Sequence, residues 1–520
     1  MKRSQPDTTD CSRKDIYERG SGFWRFLEIV PGSLAWLVIF LSIIFSFIWP
    51  SAVAVYILVY DLYWVCRAFY MTALLMKTSR KMKQAQRTDF RAKLNGLPKD
   101  DPLIADWRRL YHVVIFATFR EEIETLLPSV ESVVRADWPN EKKIIMLAGE
   151  ERDQERLLQV YNELKARFGE KIYDLLVSVH PDGIAGEVKG KGAGSAWAGR
   201  RLSEYVEKRG LNEEEIIVHI ADADTRFEKD FFNAVAYEFS INPNRHRRTY
   251  QPIPLFSNNI WHTHTVARLT AWGSSFWQMM QASRPWRMTN FSTHAYSLKM
   301  LREMDYWAVD VVNEDSRQFW RAYFAFDGDH KVVPIYLPVH MDAIIADNFS
   351  TTVRNQYLQK RRWAYGIEHF PYIVTESIKN KKIPFWDKWS KVFILLDDTV
   401  SWSTASYYLA VVGFLPIIFS STFRNTVLAY NFPLVSKILL SLTWIGLAIS
   451  AYTSLSFLPP KPEGFRRSKY LEFAAEWVIT PLSAIFFGSI PALESQTRLM
   501  LGQYLTFWVT PKAAVAKSKN

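Results

Sequence analysis

The sequence predicts an α/β domain with a mainly parallel sheet, inserted between α-helical transmembrane segments. Three observations carry this. Long apolar runs lie toward both ends of the 520-residue chain, and a charged block of mixed character fills its middle. Within that block, short β-branched runs alternate with amphipathic stretches, the pattern of strands laid beside crossover helices. The averages hide this segregation, since 48% apolar and 22% charged residues is an ordinary globular composition. A chain of this length is expected to form at least two structural units.

The first apolar run covers 29–49, is broken at Pro50-Ser51, and is followed by a second over 52–75. Each has the roughly 20 residues needed to cross a hydrocarbon core. Lys2, Arg3, Arg13, Lys14, Arg19 and Arg25 flank the first run, and Lys77, Arg80, Lys81 and Lys83 follow the second. The turn between them carries no basic residue, so the positive-inside rule puts both ends of this hairpin in the cytoplasm. Asp61, inside the second run, needs a polar partner or water. A secretory leader is not expected, because a long polar stretch precedes the first run and no small-residue cleavage site follows it.

Between 106 and 347 the candidate strands are Tyr111–Ala117, 143–147, 175–179, 216–220 and 331–335. Helical stretches over 121–135, 152–168 and 197–208 separate the first four. Ligands of such sheets bind beyond the carboxyl ends of the strands. Further apolar runs over 400–420 and 433–457 give two more spans, and Lys461, Arg466, Arg467 and Lys469 return the chain to the cytoplasmic side. The piece 474–491 is interrupted by Pro481 and carries Glu476. It is expected to lie at the interface or re-enter, because a full crossing would strand the basic tail of Lys512, Lys517 and Lys519 outside. The expected organisation is a tail (1–28), a transmembrane hairpin (29–75), a cytoplasmic domain (76–385), an interfacial helix with two spans (386–457), and an interfacial or re-entrant segment with its tail (458–520).

Composition removes several classes of function. Cys11 and Cys66 are the only cysteines, one in a polar tail and one in an apolar run. Neither a disulfide framework nor structural zinc is expected. The net charge of +11 is spread over scattered clusters rather than one basic face, so no nucleic-acid partner is expected and contact with anionic lipid is. Aromatics at 15%, with 20 Trp, suit lipid headgroups or sugar faces.

Four short stretches can carry chemistry. Asp222-Ala223-Asp224 follows a buried strand, so two carboxylates stand at the ligand-binding edge of the sheet. Hard oxygen ligands there could hold Mg²⁺ or Mn²⁺ and, through it, a nucleotide diphosphate. Such a pair arises about once by chance in a chain this long, and its position after a strand is what lifts it above chance. Asn313-Glu314-Asp315 precedes a helix expected from Ser316. There Asp315 could be a helix cap or an ionised general base. Gln359-Lys360-Arg361-Arg362-Trp363 offers an indole face for a sugar and donors for diphosphate, or else a headgroup-facing basic helix with a Trp anchor. Lys189-Gly190-Lys191-Gly192-Ala193-Gly194-Ser195 could cradle a diphosphate at a helix N-terminus, or be a mobile solvent loop.

Taken in order, these stretches resemble the motifs of the membrane-integrated family 2 glycosyltransferases, the group of cellulose, chitin and hyaluronan synthases. That family has a D-x-D pair, a downstream T-E-D and then Q-x-x-R-W. Here the intervals are 91 residues from Asp224 to Asp315 and 44 from Asp315 to Gln359. Phe507-Trp508-Val509-Thr510-Pro511-Lys512 is similar to the F-x-V-T-x-K gating loop of bacterial cellulose synthases. The resemblance spans about residues 34–512.

It implies a GT-A fold and an inverting single displacement from a nucleotide-sugar, a UDP-sugar by analogy, onto a growing polysaccharide. It implies that Asp224 and Asp222 hold the metal, with Asp222 also at the diphosphate. Asp315, beside Glu314, becomes the base, and Gln359, Arg362 and Trp363 line the acceptor terminus and pyrophosphate. Lys189 and Lys191 are nucleotide-sugar contacts, and Phe507, Val509, Thr510 and Lys512 close over the nucleotide.

The resemblance departs at four places. An Asp pair is replaced by Glu150-Glu151, which makes Glu150 the candidate nucleoside contact. Asn313 stands for the usual Thr, the Lys-Ala-Gly-Asn-like stretch reads Lys191-Gly192-Ala193-Gly194-Ser195, and the sequence stops soon after Lys512. The implied partners are the donor, a carbohydrate or lipid acceptor and membrane lipids, with an accessory subunit or homo-oligomer left open. The implied location is the plasma membrane, with the catalytic domain in the cytoplasm. A transferase acting on a lipid carrier, and a non-catalytic membrane protein that binds nucleotide-sugar, are the alternatives.

Overall fold

A computed structural model describes residues 21–508. Eight strands form one sheet: β1 (Tyr111–Ala117), β2 (Lys143–Glu150), β3 (Asp174–His180), β4 (Ile216–Asp222), β5 (Arg226–Phe227), β6 (Arg248–Leu255), β7 (His294–Ser297) and β8 (Lys331–His340). Their order is β3-β2-β1-β4-β7-β6-β8-β5. The half β3-β2-β1-β4 is parallel throughout. Beyond it β7 runs antiparallel to both β4 and β6, β8 is parallel to β6, and β5 is antiparallel to β8. The expected mainly parallel sheet is thus correct for the first half and gives way to a mixed second half.

Parallel strands covered on both faces read as continuous apolar runs, and β1 and β4 do. Val114, Phe116, Ile145 and Ile217 pack into one layer with the helices Ile123–Arg135 and Gln154–Phe168. Val113, Ile115, Met146 and Val218 pack on the opposite face against Ala196, Leu202 and Trp307. Because β1 and β4 are paired with Ala117 opposite Asp222, both strands end at one level and their following loops share an edge.

Among the described residues, four helices are long and apolar enough to cross a membrane: Gly22–Ile48, Pro50–Ala85, Val427–Ser456 and the run Lys469–Met500. A bent pair, Phe385–Ala410 with Val412–Phe419 at 46°, is a fifth candidate. The set differs from the expected four. The 400–420 run lies across the bend, and the 474–491 piece lies inside a helical run long enough to cross. Around Pro481 that run is not uniform, passing through 3₁₀ and π turns at Glu476–Ile479 and Ile485–Ser489. Phe40, Ile44, Phe47, Val59 and Leu62 stand exposed on the first two helices. Asp61 is buried and accepts a hydrogen bond from Ser436 Oγ at 2.5 Å, which supplies the partner its position requires.

The first helix also grips the last. Arg25 Nη1 donates to the Leu499 carbonyl at 2.8 Å and Nη2 to that of Met500, while Glu28 accepts from Arg25 at 2.8 Å and from the Tyr504 hydroxyl at 2.8 Å. This clasp fixes the start of the segment that leads to Phe507.

Candidate active site

The strand-end loops open onto a cavity of about 1260 Å³ that runs from the sheet edge to the candidate membrane spans. At its sheet end stands an acidic group organised by one cation. Lys191 Nζ lies 3.0 Å from Asp222 Oδ1, 3.2 Å from Asp315 Oδ1 and 3.7 Å from Glu314 Oε1. Burial would lower the Lys191 pKa, but Asp222, Asp315 and Glu314 outweigh it and hold it above the usual lysine value. Burial first, and then the neighbouring Asp315 charge, raises Glu314. Asp315 is likewise raised by burial and by Asp222, against the pull of Lys191.

Local sequence explains the placement. Gly190, at φ +150°, ends the loop, and the helix Lys191–Lys208 begins at Lys191, six residues before the expected start. A Cβ on Gly190 would come within 2.6 Å of the Phe507 ring, and one on Gly192 within 2.5 Å of the Ala308 carbonyl. Only glycine lets this helix end sit against the acidic helix and the Phe507 segment at once. The acidic helix runs Glu314–Ala325 and starts two residues earlier than expected. Asp315 is therefore inside its first turn. Asn313 holds the cap position, and its side chain donates to the Arg362 carbonyl at 2.8 Å rather than capping the helix. Glu368 accepts the backbone N–H of Val312 and of Asn313 at 2.8 and 3.2 Å, and His369 Nε2 donates to the Asn313 carbonyl at 2.9 Å.

Gln359, Arg362 and Trp363 belong to the helix Phe349–Ala364, whose N-cap Asn348 accepts the Thr351 N–H at 2.8 Å. Their i, i+3, i+4 spacing puts all three on one face, and all three line the cavity. Burial lowers the Arg362 guanidinium pKa, with Glu314 and Asp222 pulling the other way, and its central carbon lies 4.9 Å from the Phe507 ring centroid. Trp363 meets Phe291 edge-on at 5.6 Å.

Ser292 is the site residue that sequence reading missed. Its φ of +50° is a left-handed conformation rare outside glycine. There its N–H donates to Asp315 Oδ2 at 2.9 Å while its Oγ donates to Asp222 Oδ2 at 2.8 Å. No motif marks it, because its role depends on β7 returning beside β4. Asp342, which follows β8, was also missed. Its N–H donates to Asp224 Oδ2 at 2.9 Å, and its side chain lines the same cavity.

Glu150 lines the cavity at the end of β2 and accepts from Arg152 Nε at 2.5 Å. Thr118 and Phe119 join it there, held by Glu121, which accepts the Thr118 hydroxyl at 3.0 Å and the Phe119 N–H at 2.5 Å. Lys189 does not join the others: it pairs with Asp182 at 2.6 Å on an exposed loop. Phe507 lies at the cavity, while Val509, Thr510 and Lys512 fall outside the described residues. Among the described residues, no group of three or more His, Cys, Asp or Glu side chains is arranged to hold a metal ion. The carboxylates of Asp222, Asp224 and Asp342 nevertheless line one cavity, and such hard oxygen donors suit Mg²⁺ or Mn²⁺ completed by substrate phosphates.

Residues 216–459 match the model of glycosyl transferase family group 2, a stretch that holds both acidic pairs and Gln359, Arg362 and Trp363. No curated protein matches the chain in sequence. Among solved structures the chain is similar to the mannosyltransferase PcManGT from Pyrobaculum calidifontis in complex with GDP-Man and Mn²⁺. Identity is 13%, with 84% of this chain and 100% of that one covered at a TM-score of 0.40. It is also similar to S. aureus TarS 1–349 in complex with UDP-GlcNAc, at 13% identity, 76% and 93% coverage and a TM-score of 0.30. A third is GalNAc-T7 with UDP, GalNAc and Mn²⁺, at 10% identity, 60% and 59% coverage and a TM-score of 0.30.

Proposed function

We propose that the chain is a membrane-bound, inverting glycosyltransferase that moves a sugar from a nucleotide-sugar, a UDP-sugar in the first instance, to a growing polysaccharide. The observation that carries this is the position of the acidic group. Asp222, Glu314 and Asp315 gather on Lys191 at one end of a cavity whose other end is lined by candidate membrane spans. The match of residues 216–459 to a glycosyl transferase family supports the same reading.

In this reading Asp315 accepts the proton of the attacking acceptor hydroxyl. Its raised pKa brings it toward the range in which a carboxylate is an effective base. The Ser292 N–H holds one oxygen and leaves the carboxylate oriented toward the cavity. Glu314, nearly without solvent contact, keeps Lys191 in place. Lys191 and Arg362 supply positive charge where the diphosphate leaves, and Trp363 gives the acceptor sugar a flat face. Asp224, Asp222 and Asp342 would hold a divalent cation, which when bound neutralises the leaving diphosphate. Glu150 with Thr118 and Phe119 receives the nucleoside at the β1–β2 edge. The positive-inside pattern supports a cytoplasmic catalytic domain, and the plasma membrane follows from the resemblance to polysaccharide synthases alone.

A second reading, transfer to a lipid carrier, is favoured by Trp64, Arg67 and Met71, which line the cavity from a candidate membrane span. The test is nucleotide release by purified membranes given a panel of UDP- and GDP-sugars, with Mn²⁺, Mg²⁺ or chelator, followed by sizing of radiolabelled product. Metal-dependent turnover of one donor is expected, with long product for the first reading and short, lipid-extractable product for the second. Failure to turn over any donor while nucleotide still binds would reject both.

A further inference from the structure

Away from the carboxylates the cavity wall changes character. Ser274, Gln278 and Gln281 line it from the helix Thr265–Ala282, at i, i+4 and i+7 on one face. Gln278 is only 6% exposed, and its Oε1 has no hydrogen-bond partner among the described residues. A buried amide oxygen left unpaired costs about 1–3 kcal/mol, so a ligand hydroxyl there would be welcome.

At one end of this stripe Lys360 Nζ donates to Ser274 Oγ at 2.8 Å and sits 4.4 Å from the Trp363 ring centroid. No charged group acts on it, and burial alone perturbs it. At the other end two guanidiniums share one carboxylate, Arg287 at 2.7 Å and Arg67 at 3.7 Å from Asp398. Lys391 is matched by Asp387 at 3.0 Å. Four cations on this wall therefore face two carboxylates. Arg67, Arg287 and Lys391 are partly exposed and share two carboxylates, while Lys360 has none, so the wall carries surplus positive charge that a bound anion would balance.

We propose that this wall is the acceptor groove and that it takes a phosphate, carried on a lipid, between Lys360 and the Arg67–Arg287 pair, with acceptor hydroxyls against Gln278. The lipid-borne source follows from the location of the groove, since Trp64 and Arg67 belong to the helix Pro50–Ala85, a candidate membrane span. Guanidinium pairs suit phosphate geometry, and the indole rings of Trp64 and Trp402 on the same wall suit a headgroup-level ligand. The identification of the ligand as an acceptor rests on the second reading above, transfer to a lipid carrier; the anion site itself does not.

The experiment uses the full chain in lipid nanodiscs and follows tryptophan fluorescence during titration with octyl phosphate, octyl glucuronide or octyl glucoside. Octyl phosphate is expected to bind at least about tenfold more tightly than the other two. Lys360→Met and Arg287→Gln are each expected to weaken it by about tenfold while the glucoside is unaffected, and Lys360→Arg to restore it. Equal binding of all three compounds, tighter binding of the glucuronide, or variants that weaken all three alike would overturn the proposal. Nucleotide release from the donor is measured on the same preparation. Selective phosphate binding without donor turnover would keep the anion site and sink the transferase, and donor turnover with unselective binding would do the reverse.

Discussion

At the sheet end of the cavity, Asp222 has both oxygens engaged, by Lys191 and by Ser292, and Asp315 is held by the same two residues. At the membrane end, so called for the candidate membrane spans that line it, Gln278 has an idle oxygen, Lys360 has one hydroxyl for a partner, and Arg67 and Arg287 divide a single Asp398. The first end is preorganised: its groups are positioned by strand ends and helix starts before any ligand arrives, as chemistry requires. The second is incomplete and acquires its missing partners from what binds. Substitutions at the two ends should therefore differ in kind, with lost turnover at the first and lost affinity or selectivity at the second.

The largest effect is expected from Asp315→Asn. Transfer should fall by about 10³-fold, measured with radiolabelled donor, while nucleotide affinity changes only a few-fold. If affinity fell in step with turnover, the two ends would not be separable. Next comes Asp224→Asn or chelation, with an expected loss of about 10²-fold or more in nucleotide release. Added Mn²⁺ or Mg²⁺ should restore the chelated wild type but not the variant.

At the membrane end, pH is the sharper probe. Burial lowers Lys360 to about 7 in the free protein, and a bound anion would raise it. The cationic form then predominates below pH 7 and is lost above it, and binding above pH 7 must take up a proton. Anion affinity should accordingly weaken by up to tenfold per pH unit as pH rises from 7, and Lys360→Arg should flatten this dependence.

Gly190→Ala joins the two ends, because it strains a φ of +150° and pushes on Phe507. A stability loss of about 1–3 kcal/mol is expected, read as a lower Tm, with weaker nucleotide binding. The smallest effect is expected from Asn348→Ala, about 1 kcal/mol from the lost cap of the helix that carries Gln359 and Trp363, with donor preference unchanged.

Much of the first end was legible in the sequence. β1 is an apolar run with the expected bounds, and the acidic pair stands at the carboxyl end of β4, with Asp222 as the strand's last residue and Asp224 just beyond it, because parallel strands buried on both faces are unbroken in sequence. Of the second half of the sheet only β8 was legible, its first five residues matching the strand expected over 331–335. β6 carries Pro252 and Pro254, residues that argue against an interior strand, and its register with β8 shifts between Pro252 and Ile253 to accommodate them. β7 has only four residues, too few for a period. Ser292 was invisible for the same reason, since its role exists only once β7 returns beside β4. The membrane-end wall was half visible. Lys360 lies inside a motif already singled out, yet its partner Ser274 is 86 residues away, a distance no local pattern bridges.

The clasp at the first helix has a consequence for how the protein is made. Arg25 leaves the ribosome early, and until Leu499 and Met500 have been translated its local partner is Glu28. Chains fold from the N-terminus as they emerge, so the acidic group can assemble long before the segment bearing Phe507 is anchored. The Phe507 wall of the cavity is thus added late in biogenesis, and a chain stalled before residue 499 would display the acidic group without it.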